Sequence, residues 1–167
     1  MRVKAFDPET DRGAVEECLL ELQEFSRQHD ARLPIGSCMA QEYLERLHAR
    51  CSLYAGKVLV AEIDAVVVGY VCVLAKVPAA EPADGVAEAA QIVDLVVQTN
   101  ARGSGVGSCL LHAADTYAQS QGASWLRVGV FAWNAHAIGL YEHRGYARLE
   151  VTLEKRLPAF ESENRRV

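Results

Sequence analysis

A glycine-rich segment, Arg102 to Gly107, has the composition of a loop that binds an anion. It reads Arg-Gly-Ser-Gly-Val-Gly and lies between an apolar run and an amphipathic run, which predicts a turn from a strand into a helix. Glycines leave main-chain N–H groups uncovered, and a helix start adds unpaired N–H groups and the positive end of its dipole. The segment therefore predicts a cradle for a phosphate or diphosphate, or else a plain turn that packs a helix closely on a strand.

Two common phosphate-binding motifs do not fit this segment. The dinucleotide fingerprint G-x-G-x-x-G fails because Ser108 stands at its third glycine when counted from Gly103, and Leu110 when counted from Gly105. A P-loop needs a lysine followed by serine or threonine, and residues 103–108 contain no lysine. A nucleotide-binding regulator is therefore disfavoured.

The residues around the loop extend the pattern. An apolar strand, Gln91–Val97, precedes it, and a helix with Asn134 at its start and Tyr141 near its end follows a second apolar strand. In this arrangement the segment from Gln91 to Tyr146 resembles the GNAT superfamily of N-acetyltransferases. The family pattern R/Q-x-x-G-x-G/A falls on Arg102, Gly105 and Gly107.

The resemblance implies a fold and a cofactor. The fold is a single-domain α/β structure with a mixed, mostly antiparallel sheet, a splayed central pair of parallel strands and about four flanking helices. The cofactor is acetyl-CoA (coenzyme A) as acyl donor, with no metal, and the main chain of the splayed strand binds its pantetheine arm. The implied cofactor-binding residues are Leu95, Val96, Val97, Arg102, Gly103, Ser104, Gly105, Val106, Gly107, Ser108, Asn134 and Tyr141.

Several of these residues also have an ordinary structural interpretation. Arg102 could contact phosphate or form a surface ion pair, and Asn134 is a good helix N-cap whether or not its amide reaches the cofactor. The side chains of the splayed strand are ordinary core residues, since the functional role concerns their backbone alone.

Two residues are candidates for catalysis, Tyr141 and Asp94. A phenol with a pKa of about 10 matches a thiolate leaving group, so Tyr141 is a candidate general acid, although an aromatic residue there could simply close the core. Asp94 stands within an apolar strand, where burial raises the pKa of a carboxyl group. It is a candidate general base or a structurally paired acid, and Glu24 is a weaker candidate base.

The resemblance implies transfer of an acetyl group to a primary amine of a small molecule by direct attack in a ternary complex. Two alternatives stay open. One is an N-terminal or lysine acetyltransferase acting on a protein or peptide, and the other is a non-catalytic sensor that binds coenzyme A.

The composition is that of one ordinary globular domain. The chain has 167 residues, of which 50% are hydrophobic and 23% charged, and we expect a single domain over residues 1–157 with a polar tail over 158–167. A net charge of −5 disfavours nucleic-acid binding and favours a cationic molecule, such as an amine, as the acceptor of the acyl group. No apolar run is long enough to cross a membrane, and the cysteine spacing fits free thiols rather than disulfides or a metal site. We expect a cytoplasmic protein that could form a homodimer.

Periodicity predicts ten elements. The expected strands are Arg2–Phe6, Lys57–Ile63, Val66–Val77, Ala90–Gln98, Trp125–Phe131 and Ala147–Arg156. The first expected helix begins near Asp7 or Thr10. The other three cover Met39–Ala49, Gly105–Gln121 and Ala135–Arg144. A tight hairpin is expected at Asp64-Ala65 and a loop over Pro78–Glu88.

Overall fold

The computed structural model describes residues 1–79 and 85–157, in two compact units, Met1–Val130 and the residues from Phe131 onward. The predicted loop over Pro78–Glu88 therefore lies partly outside the described residues, and the predicted tail over 158–167 lies wholly outside them. In the described part of the first unit the strands are β1 (Arg2–Ala5), β2 (Gly56–Ile63), β3 (Val66–Pro78), β4 (Glu88–Val97) and β5 (Leu126–Val128).

These strands form one sheet in the order β1-β2-β3-β4-β5, and only the β4–β5 pair is parallel. Four α-helices accompany the sheet in the described residues, namely α1 (Arg12–Arg27), α2 (Ala40–Leu53) and α3 (Val106–Ser120) in the first unit and α4 (Ala135–His143) in the second. The predicted fold class is confirmed, and none of these helices is long and apolar enough to cross a membrane.

The β2–β3 hairpin turns at the predicted pair. Asp64 and Ala65 both have positive φ, 49° and 64°, which is the backbone that a two-residue hairpin turn matching the strand twist requires. Farther along β3, a Cβ on Gly69 would lie 2.5 Å from the carbonyl oxygen of Val96. Glycine at this position therefore allows β3 and β4 to approach closely.

The main core lies between the sheet and helices α1 and α2. Its fully buried members include Val15 and Cys18 from α1 and Tyr70 and Cys72 from β3. Helix α3 covers the other face, where Leu110 packs near Gly69. Because side chains alternate along a strand, each residue of β3 and β4 is assigned to one of these two helix layers.

Three predicted elements differ from the structure. Helix α1 begins at Arg12, because Asp7 to Asp11 form a separate turn in which the Asp11 N–H donates to the Asp7 carbonyl at 2.8 Å. Strand β5 is limited to Leu126–Val128, since its pairing with β4 ends there. The strand predicted over Ala147–Arg156 is absent.

That missing strand has a physical reason. Leu149, Val151 and Leu153 alternate as a strand would require, but their side chains are 75%, 71% and 90% exposed. Alternation stabilises a strand only when one face is buried and an edge is available for pairing, and the described residues provide neither here.

Candidate active site

Strand β4 contains a bulge next to the point where it loses its parallel neighbour. Cys72 pairs with Asp94 and Val73 with Ile92, so Val93 is an extra residue on β4. In the described part of the chain, the parallel pairing with β5 also ends at Ile92, opposite Val128. Bulges bend and twist a strand. Beyond Val93, β4 therefore continues towards α3 beside β3 alone.

The bulge also changes which way the main-chain groups of β4 point. Ala90 N–H donates to the Trp125 carbonyl on the β5 side at 2.8 Å, whereas Gln98 N–H donates to the Val68 carbonyl on the β3 side at 2.9 Å. In a strand without a bulge, the main-chain groups of two residues eight positions apart point to the same side. The bulge has therefore reversed the direction in which the N–H and carbonyl groups beyond it point. Counting back from Gln98, the main-chain groups of Val96 point to β3, and those of Leu95 and Val97 point to the open edge.

The glycine segment leads directly into α3. Gly103 and Gly105 have φ of 76° and 87°, a left-handed backbone that costs other L-residues about 1–2 kcal/mol. Gly105 is the N-cap residue, and the first intrahelical bond runs from Cys109 N–H to the Gly105 carbonyl at 3.1 Å. The N–H groups of Val106 and Gly107 therefore precede the first helical hydrogen bond.

The surroundings of this turn favour an anion. The first turn of α3 has no acidic residue, and Gly105 provides no side-chain cap. A Cβ at Gly103 or Gly105 would meet nothing within 4 Å, so the loop faces open space. Ser104 turns inward instead, because its Oγ donates to the Ala101 carbonyl at 2.6 Å. The positive end of the helix dipole is left uncompensated beside an open face.

Arg102 connects the open end of β4 to α1. Its Nε donates to the Val97 carbonyl at 3.0 Å, and its guanidinium lies 5.7 Å from the ring centroid of Phe25. Glu21 lies 3.8 Å from another guanidinium nitrogen and also accepts a hydrogen bond from Thr99 N–H. The side chain is 38% exposed, so Arg102 holds this segment in place while adding positive charge beside the cradle.

Asp94 is buried just past the bulge, with only 7% of its surface exposed. Tyr43 Oη donates to its Oδ1 at 2.7 Å, and Tyr70 Oη donates to its Oδ2 at 3.1 Å. Asp94 thus lies on the face of the sheet covered by α1 and α2, and both of its oxygens accept a phenolic hydrogen bond.

The electrostatics of this carboxyl group are set by opposing effects. Burial raises the pKa of Asp94 above its usual value, while the hydrogen bonds from Tyr43 and Tyr70 and the charge of Arg50 oppose the increase. Arg50 lies on α2 and its guanidinium is 3.5 Å from Gln91 Oε1. Burial and the nearby carboxylate raise the pKa of both phenols, so they stay protonated donors.

Sequence reasoning missed Tyr43, Tyr70 and Arg50. Tyr43 and Arg50 are seven positions apart in the printed sequence, so they lie on one face of α2, which was a usable signal. No local pattern indicated that this face meets Asp94. Glu24, the weaker candidate base, has a side chain that is 64% exposed and lies 3.7 Å from Arg27.

Asn134 and Tyr141 belong to the second compact unit. The Asn134 Oδ1 accepts a hydrogen bond from Ala137 N–H at 3.1 Å, so Asn134 caps α4. Tyr141 is 8% exposed, and its ring lies 5.8 Å from that of Tyr146. Gly145, with φ of 90°, ends the helix in the left-handed conformation typical of that position.

The described residues contain no group of three or more His, Cys, Asp or Glu side chains that could hold a metal ion. The cysteines among them are free thiols, and the nearest contact involves Cys51 and Cys72, whose sulfur atoms are 3.6 Å apart. The chemistry available near β4 in the first unit is therefore that of main-chain donors, a helix start and the buried carboxyl group of Asp94.

Comparison with known proteins identifies the family of the chain. The sequence model described as the acetyltransferase (GNAT) family matches residues 19–146. The chain belongs to the acetyltransferase (GNAT) family. It is an acyltransferase, and GNAT proteins generally use acetyl-CoA as acyl donor. No curated protein sequence matches the chain.

Solved structures with the GNAT fold resemble this chain over nearly its whole length. A mutant of protein BH1408 from Bacillus halodurans has a TM-score of 0.80 at 19% identity, covering 95% of this chain and 100% of that one. The aminoglycoside 6'-N-acetyltransferase of Acinetobacter haemolyticus has a TM-score of 0.66 at 17% identity, covering 95% and 100%. The glucosamine-6-phosphate N-acetyltransferase of Arabidopsis thaliana has a TM-score of 0.66 at 17% identity, covering 94% and 98%. At these identities the likeness concerns the fold.

Proposed function

We propose that this GNAT protein transfers an acetyl group from acetyl-CoA to the primary amine of a small molecule by direct attack in a ternary complex. One observation carries the proposal. An open strand edge beyond the bulge at Val93 is followed, after a short 3-10 turn at Thr99–Ala101, by the glycine turn that starts α3. Main-chain donors for an extended arm and for a diphosphate therefore follow one another along the chain.

The cofactor arm would lie along β4 as an added strand. Leu95 and Val97 direct their main-chain groups to the open edge, and the Val97 carbonyl accepts from Arg102 Nε. The proposed partners of the pantetheine amides are therefore both main-chain groups of Leu95 and the N–H of Val97. The main-chain groups of Val96 point to β3, so Val96 would support the site by holding β4 in place beside β3. A free N–H at Leu95 or Val97 would also stabilise the oxyanion that forms when an amine attacks the thioester.

The diphosphate would rest on the turn that begins α3. The proposed donors are the N–H groups of Gly103, Ser104, Gly105, Val106, Gly107 and Ser108. Charge-assisted hydrogen bonds to an anion are about twice as strong as neutral ones, and the helix dipole adds to them. Arg102 would raise the local positive potential, and its main contribution would be to hold the end of β4.

In the second unit, two residues are proposed to act on the cofactor. Tyr141 would protonate the departing thiolate of coenzyme A, and its Oη would be the group that contacts the sulfur. Asn134 uses Oδ1 for the helix cap, which leaves its Nδ2 amino group as the donor to the pantetheine arm. The attack itself needs no covalent enzyme intermediate, because proximity and orientation supply most of the acceleration.

The first experiment measures coenzyme A binding by calorimetry and thiol release from acetyl-CoA across a panel of amines. The panel holds polyamines, amino acids and short peptides, together with an aminoglycoside and glucosamine 6-phosphate, the acceptors for which two proteins of the same fold are named. We expect tight binding and transfer to a small amine. Binding without transfer would support a sensor instead, and transfer to peptides alone would support a protein acetyltransferase.

A second measurement tests the cradle. Pantetheine lacks the diphosphate and nucleotide of coenzyme A, so it should bind at least about tenfold more weakly, which corresponds to about 1.4 kcal/mol. Equal affinities for the two ligands would remove the glycine turn from the proposal.

A further inference from the structure

We propose that Tyr43 is a catalytic residue that takes a proton from the acceptor amine while passing its own phenolic proton to Asp94. This inference rests on the proposed function, because it assigns the base that prepares the amine for attack. It concerns Tyr43 on α2, a residue that the sequence motifs do not indicate.

Burial and hydrogen bonding hinder direct contact between an amine and Asp94. The carboxyl group is 7% exposed, and its two oxygens accept hydrogen bonds from two different phenols. Burial leaves little room for an ammonium ion beside the carboxylate. The two phenols donate to Asp94 and are therefore groups through which a proton from outside can be passed to it.

The two tyrosines differ in burial and in the length of their hydrogen bonds to Asp94. Tyr70 is fully buried in the middle of β3, with 0% of its surface exposed. Tyr43 lies on α2, is only partly buried, and makes the shorter bond to Asp94, 2.7 Å against 3.1 Å. Tyr43 is therefore the less buried of the two tyrosines and the one proposed to meet an acceptor.

Asp94, the partner of Tyr43, lies on β4 beside the open edge. Asp94 directly follows Val93, the bulge residue, and precedes Leu95 and Val97, whose main-chain groups face the open edge. Asp94 therefore lies on the same strand as the edge where the thioester is proposed to bind, one residue before Leu95. An amine at Tyr43 would thus begin close to its target.

The charges around the pair favour loss of a proton from an ammonium ion. The groups that act on Asp94 or Tyr43 are Arg50 from α2 and Tyr70 and Cys72 from β3. Behind them, Cys51 contacts Cys72, and Gln91 accepts a hydrogen bond from Arg50. Arg50 is the cation of this set, and a positive charge nearby disfavours a second one. Burial raises the pKa of the Asp94 carboxyl group, which makes it a better proton acceptor than an exposed aspartate.

The proton transfer balances without any further reactant. One N–H bond of the ammonium breaks, its proton joins Tyr43 Oη, and the original Tyr43 proton moves to Asp94 Oδ1. The amine becomes neutral, the phenol is regenerated, and Asp94 becomes a neutral carboxylic acid. Because burial and the Asp94 charge raise the pKa of Tyr43, no tyrosinate accumulates and the two transfers occur together.

The test compares Tyr43→Phe with the matched variant Tyr70→Phe. Each variant removes one phenolic hydrogen bond to Asp94 and should shift the acidic limb of the activity profile to higher pH. Only Tyr43→Phe removes the relay, meaning the coupled proton transfer from the ammonium ion through Tyr43 to Asp94, so the plateau kcat of this variant should fall by about 100-fold. Tyr70→Phe perturbs Asp94 but keeps the relay, so it should lower the plateau kcat much less than Tyr43→Phe does, and both variants should bind coenzyme A as the wild type does. A wild-type plateau kcat in Tyr43→Phe would overturn the proposal.

A second readout uses the unmodified protein, so it does not depend on the variants folding. Single-turnover transfer in mixtures of H2O and D2O should show a curved dependence on deuterium fraction, because two protons move together, and a straight line would overturn the relay. Absence of transfer from wild-type protein to every amine would refute the proposed function, and the relay with it. Normal wild-type transfer with an unimpaired Tyr43→Phe variant would refute the relay alone.

Discussion

Asp94 places an ionisable group in the apolar layer between the sheet and helices α1 and α2. A buried carboxylate is costly unless hydrogen bonds and a nearby charge compensate it, and here Tyr43, Tyr70 and Arg50 do so in part. The balance still raises the pKa of Asp94. This is the arrangement that the proposed proton transfer requires of Asp94.

This leads to a prediction for Asp94→Asn. The pKa of Asp94 is raised in the folded state, so its contribution to stability is fully present below the unfolded value of about 4 and is lost as pH rises through the folded pKa. Urea titration gives the difference in unfolding free energy between the wild type and Asp94→Asn. This difference should shift against the wild type as pH increases from about 4. A difference that does not change with pH would contradict the raised pKa.

The same variant should lose activity while keeping its fold. An asparagine can still hydrogen-bond to both tyrosines but cannot accept the proton, so kcat should fall by about 100-fold or more with coenzyme A affinity unchanged. A decrease in coenzyme A affinity would indicate that Asp94 supports the shape of β4 instead.

At the scale of secondary structure elements, the site depends on how β4 continues into α3. Gly105 has φ of 87° at the start of α3, and Gly122 has φ of 84° just beyond its end. A Cβ at either position would meet nothing within 4 Å. The two glycines therefore differ mainly in their place relative to the cradle, which makes them a matched pair for mutation.

We predict that Gly105→Ala and Gly122→Ala each lower the unfolding free energy by about 1–2 kcal/mol, because alanine is strained at positive φ. Only Gly105→Ala should weaken coenzyme A binding, by about tenfold or more, since a change in backbone there redirects the N–H groups of Val106 and Gly107. Calorimetry and denaturant titration of both variants provide the measurements. Equal coenzyme A affinities in the two variants would contradict a diphosphate site at this turn.

These elements also show how far sequence patterns reach. The glycine spacing and the apolar runs predicted the turn at 102–107 and the hairpin at Asp64-Ala65, because these features depend on local backbone preferences. The sheet class was implied by the resemblance to the GNAT superfamily. The bulge at Val93 was not predicted, since it appears only when β4 is aligned with β3. The Tyr43–Asp94 bond joins residues 51 positions apart, and no local pattern encodes it.

At the scale of the whole molecule, two buried acids respond to pH in opposite directions. Asp94 is stabilising when protonated, whereas Asp11 is stabilising when charged. Burial opposes ionisation of Asp11, but hydrogen bonds from Asp7 N–H, Lys4 Nζ and Thr10 Oγ1 together lower its pKa. The stability of the folded protein at acidic pH therefore reflects two contributions of opposite sign.

Asp11 joins the first strand to the first helix, and its replacement gives the last prediction. The residue is 3% exposed and lies 3.0 Å from Lys4 Nζ on β1, immediately before α1. Asp11→Asn should lower the unfolding free energy at neutral pH by about 1–3 kcal/mol, because it leaves a partly buried network without its charged acceptor.

The sign of the pH effect follows from the lowered pKa of Asp11. Its contribution is present above the unfolded value of about 4 and is lost as pH falls through the folded pKa, so the wild-type and Asp11→Asn proteins should converge in stability below about pH 4. The matched control is Glu62→Gln, which removes the other carboxylate bound to Lys4, at 2.7 Å, but leaves the turn before α1 intact. Thermal unfolding of the three proteins from pH 3 to 7 provides the measurement. A difference between wild type and Asp11→Asn that persists at the lowest pH would show that shape, not charge, makes Asp11 stabilising.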